Sequence, residues 1–155
     1  MNLDAIKDLL SGPENAAPAL PDPGALVEKV LPIVKILVVA GPVIMLILGL
    51  LYLYAAPKEA NHHFGYRCYF GMGSEQAWRF TQRIAGITWT ALGAILTVAV
   101  LIITARFPGQ DVLEMLTTAA TSVVAEALVL LVATLIIRII VAARYDRHGE
   151  RRRRR

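Results

Sequence analysis

Three long apolar runs, separated by short polar stretches, set the pattern of this chain. No charged residue occurs between Lys35 and Lys58 or between Arg83 and Arg106, and only Glu126 and Arg138 interrupt a third run from Met115 to Ala143. A helix needs roughly 20 apolar residues to cross about 30 Å of hydrocarbon. The runs therefore predict membrane spans at residues 31–54, 84–105 and 119–142. Ahead of them, Leu3, Ile6, Leu9 and Leu10 recur at helical spacing with Asp4, Lys7 and Asp8 between, a short amphipathic helix closed by Ser11, Gly12 and Pro13. It reads equally as an interfacial anchor or lid and as a frayed terminus. Pro13, Pro18, Pro21 and Pro23 make the next stretch a linker, because proline lacks the helix donor and biases its predecessor to extended geometry. The fold class predicted is an all-α membrane protein: a three-transmembrane-helix bundle (31–143) with an N-terminal amphipathic helix and linker (1–30), a cytoplasmic motif loop between the first two spans, and a basic tail (144–155).

Within the first span, Pro32 lies near the start, where a missing donor costs least, and Gly41-Pro42 predicts a kink. Gly41, Met45 and Gly49 share a face that permits close helix approach. In the second span, Gly86, Thr90, Gly93, Thr97 and Thr104 form a stripe of small and hydroxyl residues, read as a packing face in preference to a water path.

Composition and charge sharpen this picture. The chain is 56% hydrophobic, beyond the usual share of a soluble domain, and the excess sits in the runs. The net charge of +4 is dominated by the terminal arginines, too local for a nucleic-acid surface. Basic residues also set orientation. The tail carries Arg144, Arg147 and Arg151 to Arg155, and the first loop carries Lys58, Arg67, Arg79 and Arg83, whereas the second loop has Arg106 against Asp111 and Glu114. The expectation is a multi-pass protein of the inner (plasma) membrane, N-terminus outside, first loop and C-terminus in the cytoplasm, with the tail on anionic headgroups.

Chemistry concentrates between His62 and Gly86. Gly65 supplies backbone freedom beside Tyr66, Ser74 is a plausible helix N-cap, and Trp78, Thr81, Gln82 and Ala85 share one face of the helix that follows. Glu75 and Arg79 are spaced to pair. Arg67, Arg79 and Arg83 read either as a cradle for an anion, a lipid phosphate or a partner carboxylate, or as positive-inside anchors; anchoring is preferred for Arg83, and both readings stand for Arg67.

The order Asn61, Phe64-Gly65-Tyr66-Arg67, Ser74-Glu75, Trp78, then Arg83 and Gly86 resembles the signature loop of SdpI-family membrane proteins. Cys68 stands where that family usually has threonine, and Ser74 where it has asparagine. The resemblance implies a non-enzymatic bacterial membrane protein of the toxin-immunity or signalling kind, with a toxin peptide or cytoplasmic regulator as partner. The residues it carries over are Asn61, Gly65, Arg67, Glu75 and Trp78.

Other chemistry is weaker. His62, His63 and Cys68 lack the four suitably spaced ligands of a zinc site, no nucleophile has a base in its segment, and no Walker-type loop follows Gly71. Neither an enzyme nor a cofactor or metal site is expected. Glu126 and Arg138 are the intramembrane ionisable residues, twelve positions apart on one helix and out of reach of each other. Arg138 reads as snorkelling. For Glu126 the candidates are an ion pair with Arg106, a hydrogen bond to the threonine stripe, or a protonated carboxyl. These residues also admit a small transporter or channel, which needs a homo-oligomer because three helices make a poor pore, or an accessory subunit of a larger complex.

Overall fold

A computed structural model describes residues 23–60 and 63–152. The N-terminal segment predicted as an amphipathic helix, Asn61, His62 and Arg153 to Arg155 lie outside the described residues. Three helices dominate: α1 (Pro23–Tyr54), α2 (Glu75–Thr104) and α3 (Val112–Arg144). All three are long and apolar enough to cross a membrane. Single 3-10 turns, Tyr69–Gly71 and Phe107–Gly109, punctuate the connections. Each helix is longer than the apolar run inside it; α3 starts at Val112, seven residues before the predicted span. α1 passes through Pro32 and Pro42 as one helix.

α1 and α2 form an antiparallel pair whose register is set by glycine. A Cβ on Gly93 would lie 2.5 Å from the backbone nitrogen of Leu46, one on Gly86 2.6 Å from Leu53, and one on Gly49 would strike Thr90. The pairing moves back along α2 as it moves forward along α1. With no side chain at these positions the backbones approach closely, and dispersion between them replaces the hydrophobic drive that lipid does not supply. The small-residue stripes of both helices are thus spent on packing. Thr97 and Thr104 donate their hydroxyls to Gly93 and Leu101 carbonyls of their own helix at 2.6 and 3.2 Å.

α3 joins the pair at its two ends. Near its start Met115 and Ala119 pack with Val34, Val38, Val100 and Phe107. Near its finish Ile137 and Val141 pack with Tyr66, Cys68 and Ala85. Between Ala119 and Ala133 no α3 residue is buried.

Candidate functional site

The segment between α1 and α2 folds back over the end of the bundle as a cap. Pro57, just past α1, offers its carbonyl to the indole Nε1–H of Trp78 at 2.8 Å. Trp78 is fully buried in the first turn of α2. The chain then crosses its ring at Gly65, where φ is +121° and a Cβ would sit 2.6 Å from the indole. Only glycine meets both demands, the left-handed backbone and the absence of a side chain.

One step on, Gln82 clamps Tyr66. Its Oε1 accepts from the Tyr66 N–H at 2.8 Å and its Nε2–H donates to the Tyr66 carbonyl at 2.7 Å. The carboxamide thus stands in for a neighbouring strand, satisfying both main-chain groups of a buried residue that has no ladder. The Tyr66 ring lies edge-on to Tyr52 and Trp89, with centroids at 6.3 and 5.9 Å. Its hydroxyl donates to the Thr134 carbonyl of α3 at 3.2 Å. Burial pushes the Tyr66 phenol up from its ordinary range, opposed by the Arg138 guanidinium beside it, so it remains a neutral donor at physiological pH. Tyr66 therefore ties cap, α1, α2 and α3 together.

The second half of the cap ends in a helix start. Gly71 sits where a Cβ would lie 2.9 Å from Cys68 Sγ and would strike Thr81. Ser74 caps α2, accepting from Ala77 N–H at 3.2 Å, and its hydroxyl donates to the Gly149 carbonyl at 2.7 Å. That second contact comes from a C-terminal hairpin in which Tyr145 pairs antiparallel with Arg151. Its turn is local chemistry: Gly149 N–H donates to the Asp146 carbonyl, and Gly149 takes φ +77°. Asp146 Oδ1 accepts from the N–H groups of Glu150 and His148 at 2.8 and 2.9 Å. Those donors, Glu150 foremost, hold its carboxyl below the usual carboxylate range. The turn lies so close that a Cβ on Gly73 would be 2.5 Å from the Gly149 nitrogen. Tyr145 is buried against Phe80, and Arg144 lies over the same ring at 4.7 Å.

The sequence-derived residues fall into three places. Gly65, Tyr66 and Trp78 form the interior of the cap. Glu75 and Arg79 pair on its surface with both side chains more than half exposed, an interaction worth under about 1 kcal/mol. The arginines do not form one cradle. Arg79 and Arg83 share a groove with Lys58, whereas Arg67 lines a different one with Arg138. The physical reason is the docking of Tyr66: it carries the next residue, Arg67, to the α3 side, away from the exposed face of α2. Arg138, read from sequence as snorkelling, stands beside the Tyr66 hydroxyl.

Glu126 does not pair with Arg106. Because α3 begins at Val112, Glu126 lies roughly 21 Å along it at 1.5 Å per residue, while the exposed Arg106 stays outside α2 at the 3-10 turn. The Glu126 carboxyl instead occupies space left by Gly41, where a Cβ would come 2.6 Å from Oε2. Its Oε1 is buried without a hydrogen-bond partner. Among the described residues, no three His, Cys, Asp or Glu side chains converge as for a metal ion.

Two features escaped sequence reasoning. Gln82 was visible as part of a buried face but not as a clamp, since nothing local marks its partner. The Tyr145–Gly149 turn was hidden in a stretch read as a basic tail, although Asp146 followed three residues later by Gly149 is a turn signal.

Comparison with known proteins gives one family. The family model described as the SdpI/YfhL protein family matches residues 58–143, more than half of the chain, covering the cap, α2 and nearly all of α3. All of α1 and the C-terminal hairpin lie outside the match. No curated protein and no solved structure matches the chain.

Proposed function

Because the chain belongs to the SdpI/YfhL protein family, we propose that it is a non-enzymatic protein of a bacterial inner membrane that protects its cell against a secreted toxin peptide or senses one. The observation that supports this reading is the division of labour in the cap. Gly65, Tyr66, Trp78 and Gln82 are turned inward to build it, and the charged Arg67 and Glu75 stand on its exposed surface. Among the described residues no metal-binding cluster accompanies them, and recognition is the role proposed. In this reading the cap and the C-terminal hairpin, which touch at Ser74 and Gly149, face the cytoplasm, since the positive-inside rule puts both basic regions there. Cys68 is buried and so a poor probe of sidedness. A thiol placed by Glu59→Cys in a Cys68→Ala background should react with an impermeant reagent only after permeabilisation; labelling of intact cells would reverse the orientation.

The function is tested by survival. Cells lacking the gene should die in spent medium of a toxin-producing culture of the same strain, and the wild-type gene should rescue them. Arg67→Ala should insert at normal abundance and fail to rescue. Trp78→Ala should fail as well, because emptying a fully buried aromatic site costs about 3–5 kcal/mol and opens the cap. Equal survival with and without the gene would remove the immunity reading. Rescue by abundance-matched Arg67→Ala would remove that residue from it.

A further inference from the structure

We propose that the groove between the cap and α3 holds one anionic phospholipid, its phosphate between Arg67 and Arg138. This inference does not rest on the immunity reading. The groove encloses about 520 Å³, and its two charged lining residues are both cationic and come from separate segments. Among the described residues no carboxylate lines it. The lining is complementary in charge to an anion, and a phosphodiester accepts from both guanidiniums with the short charge-assisted bonds that arginine favours.

Depth selects a lipid over a soluble ion. Arg138 is six residues short of the end of α3, roughly 9 Å at 1.5 Å per residue, the level at which a long basic side chain reaches headgroups. Apart from Cys68 and Tyr69 the remaining wall is apolar: Phe70 and Met72 from the cap, Ile139 and Ala142 from α3. Ile139 is 67% exposed on the outside of the bundle, so the groove runs out into hydrocarbon. A free phosphate gains nothing from that wall, whereas acyl chains bury against it. The rest of the lining offers no row of polar partners for a peptide backbone. A lipid seated there would bridge the cap to α3 beside the Tyr66–Thr134 hydrogen bond.

The test uses full-length protein in detergent, with phosphatidylglycerol and phosphatidylcholine of matched chains added in turn and bound lipid counted by native mass spectrometry. Wild type should retain one phosphatidylglycerol in preference to phosphatidylcholine. Arg138→Gln should weaken phosphatidylglycerol binding about tenfold, the loss of one charge-assisted contact, and leave phosphatidylcholine unchanged. Arg67→Gln should do the same, so the test survives if one variant fails to fold. Arg152→Gln, in the tail, should stay within about twofold of wild type, separating the groove from general attraction to arginines. Unchanged phosphatidylglycerol binding in both groove variants, or equal retention of the two lipids by wild type, would overturn the proposal. So would stabilisation by inorganic phosphate equal to that by phosphatidylglycerol, which would assign the groove to a soluble ion.

Discussion

Gln82→Leu should release the cap from the bundle while leaving the three helices inserted. Leucine matches glutamine closely in size, so the cavity is filled, but both main-chain groups of the buried Tyr66 lose their partner. Each stranded group costs about 1–3 kcal/mol, so a loss of about 3 kcal/mol is expected, read as a lower melting temperature in detergent. Protection in the survival assay should fall with it, because Arg67 is placed by Tyr66. Gln82→Glu discriminates the clamp from simple packing. An ionised carboxyl at that position still accepts from the Tyr66 N–H but opposes the Tyr66 carbonyl, while a protonated one donates to it. The folded state therefore favours the protonated form and raises the pKa of the substituted carboxyl. Its stability should be fully present below the ordinary glutamate pKa and decline as pH rises from there through the raised value. The same stability at pH about 4 and at pH about 7 would mean that the Tyr66 carbonyl is not its partner.

Gly93→Leu should have the larger effect on the bundle. The new Cβ would meet Leu46 backbone at 2.5 Å, and backbone inside a helix cannot step aside as a side chain can. α1 must move as a body, taking the Gly49–Thr90 and Gly86–Leu53 contacts with it. Overpacking commonly costs 1–3 kcal/mol; here a rigid wall is met, and a loss above about 3 kcal/mol with little folded protein in the membrane is expected. Ala94→Leu, one position along and exposed, should be neutral. Gly109→Ala should be neutral too, since nothing lies within 4 Å of its added Cβ. Normal abundance and melting of Gly93→Leu would show that α1 and α2 are not held at glycine distance.

The physics behind these effects was unevenly legible in the sequence. The three spans are written as uncharged runs, because hydrocarbon excludes charge whatever the tertiary structure. Glycine and threonine spacing announced the α1–α2 contact, and the buried face of Trp78, Thr81, Gln82 and Ala85 follows from helical period alone. Helix ends were less legible, since α2 and α3 continue beyond the hydrocarbon with polar residues that hydropathy cannot assign. That shortfall moved Glu126 too close to the surface and suggested Arg106 as its partner. The contacts of the cap are not local at all. Ser74 and Gly149 are 75 residues apart, and only the folded chain brings them together. Likewise, three arginines in one loop read as one cluster until the docking of Tyr66 separates Arg67 from Arg79 and Arg83.

Amide hydrogen exchange at Tyr66 decides most directly whether the segment between α1 and α2 is a folded cap or a connecting loop. The measurement is made on full-length protein in lipid nanodiscs, with Lys58 and Glu59, exposed in the same segment, as internal references. The Gln82 clamp predicts that the Tyr66 amide exchanges orders of magnitude more slowly than those references, and that Gln82→Leu brings it close to their rate. A Tyr66 amide that exchanges as fast as Glu59 in the wild type would contradict the docked cap and the placement of Arg67 that depends on it.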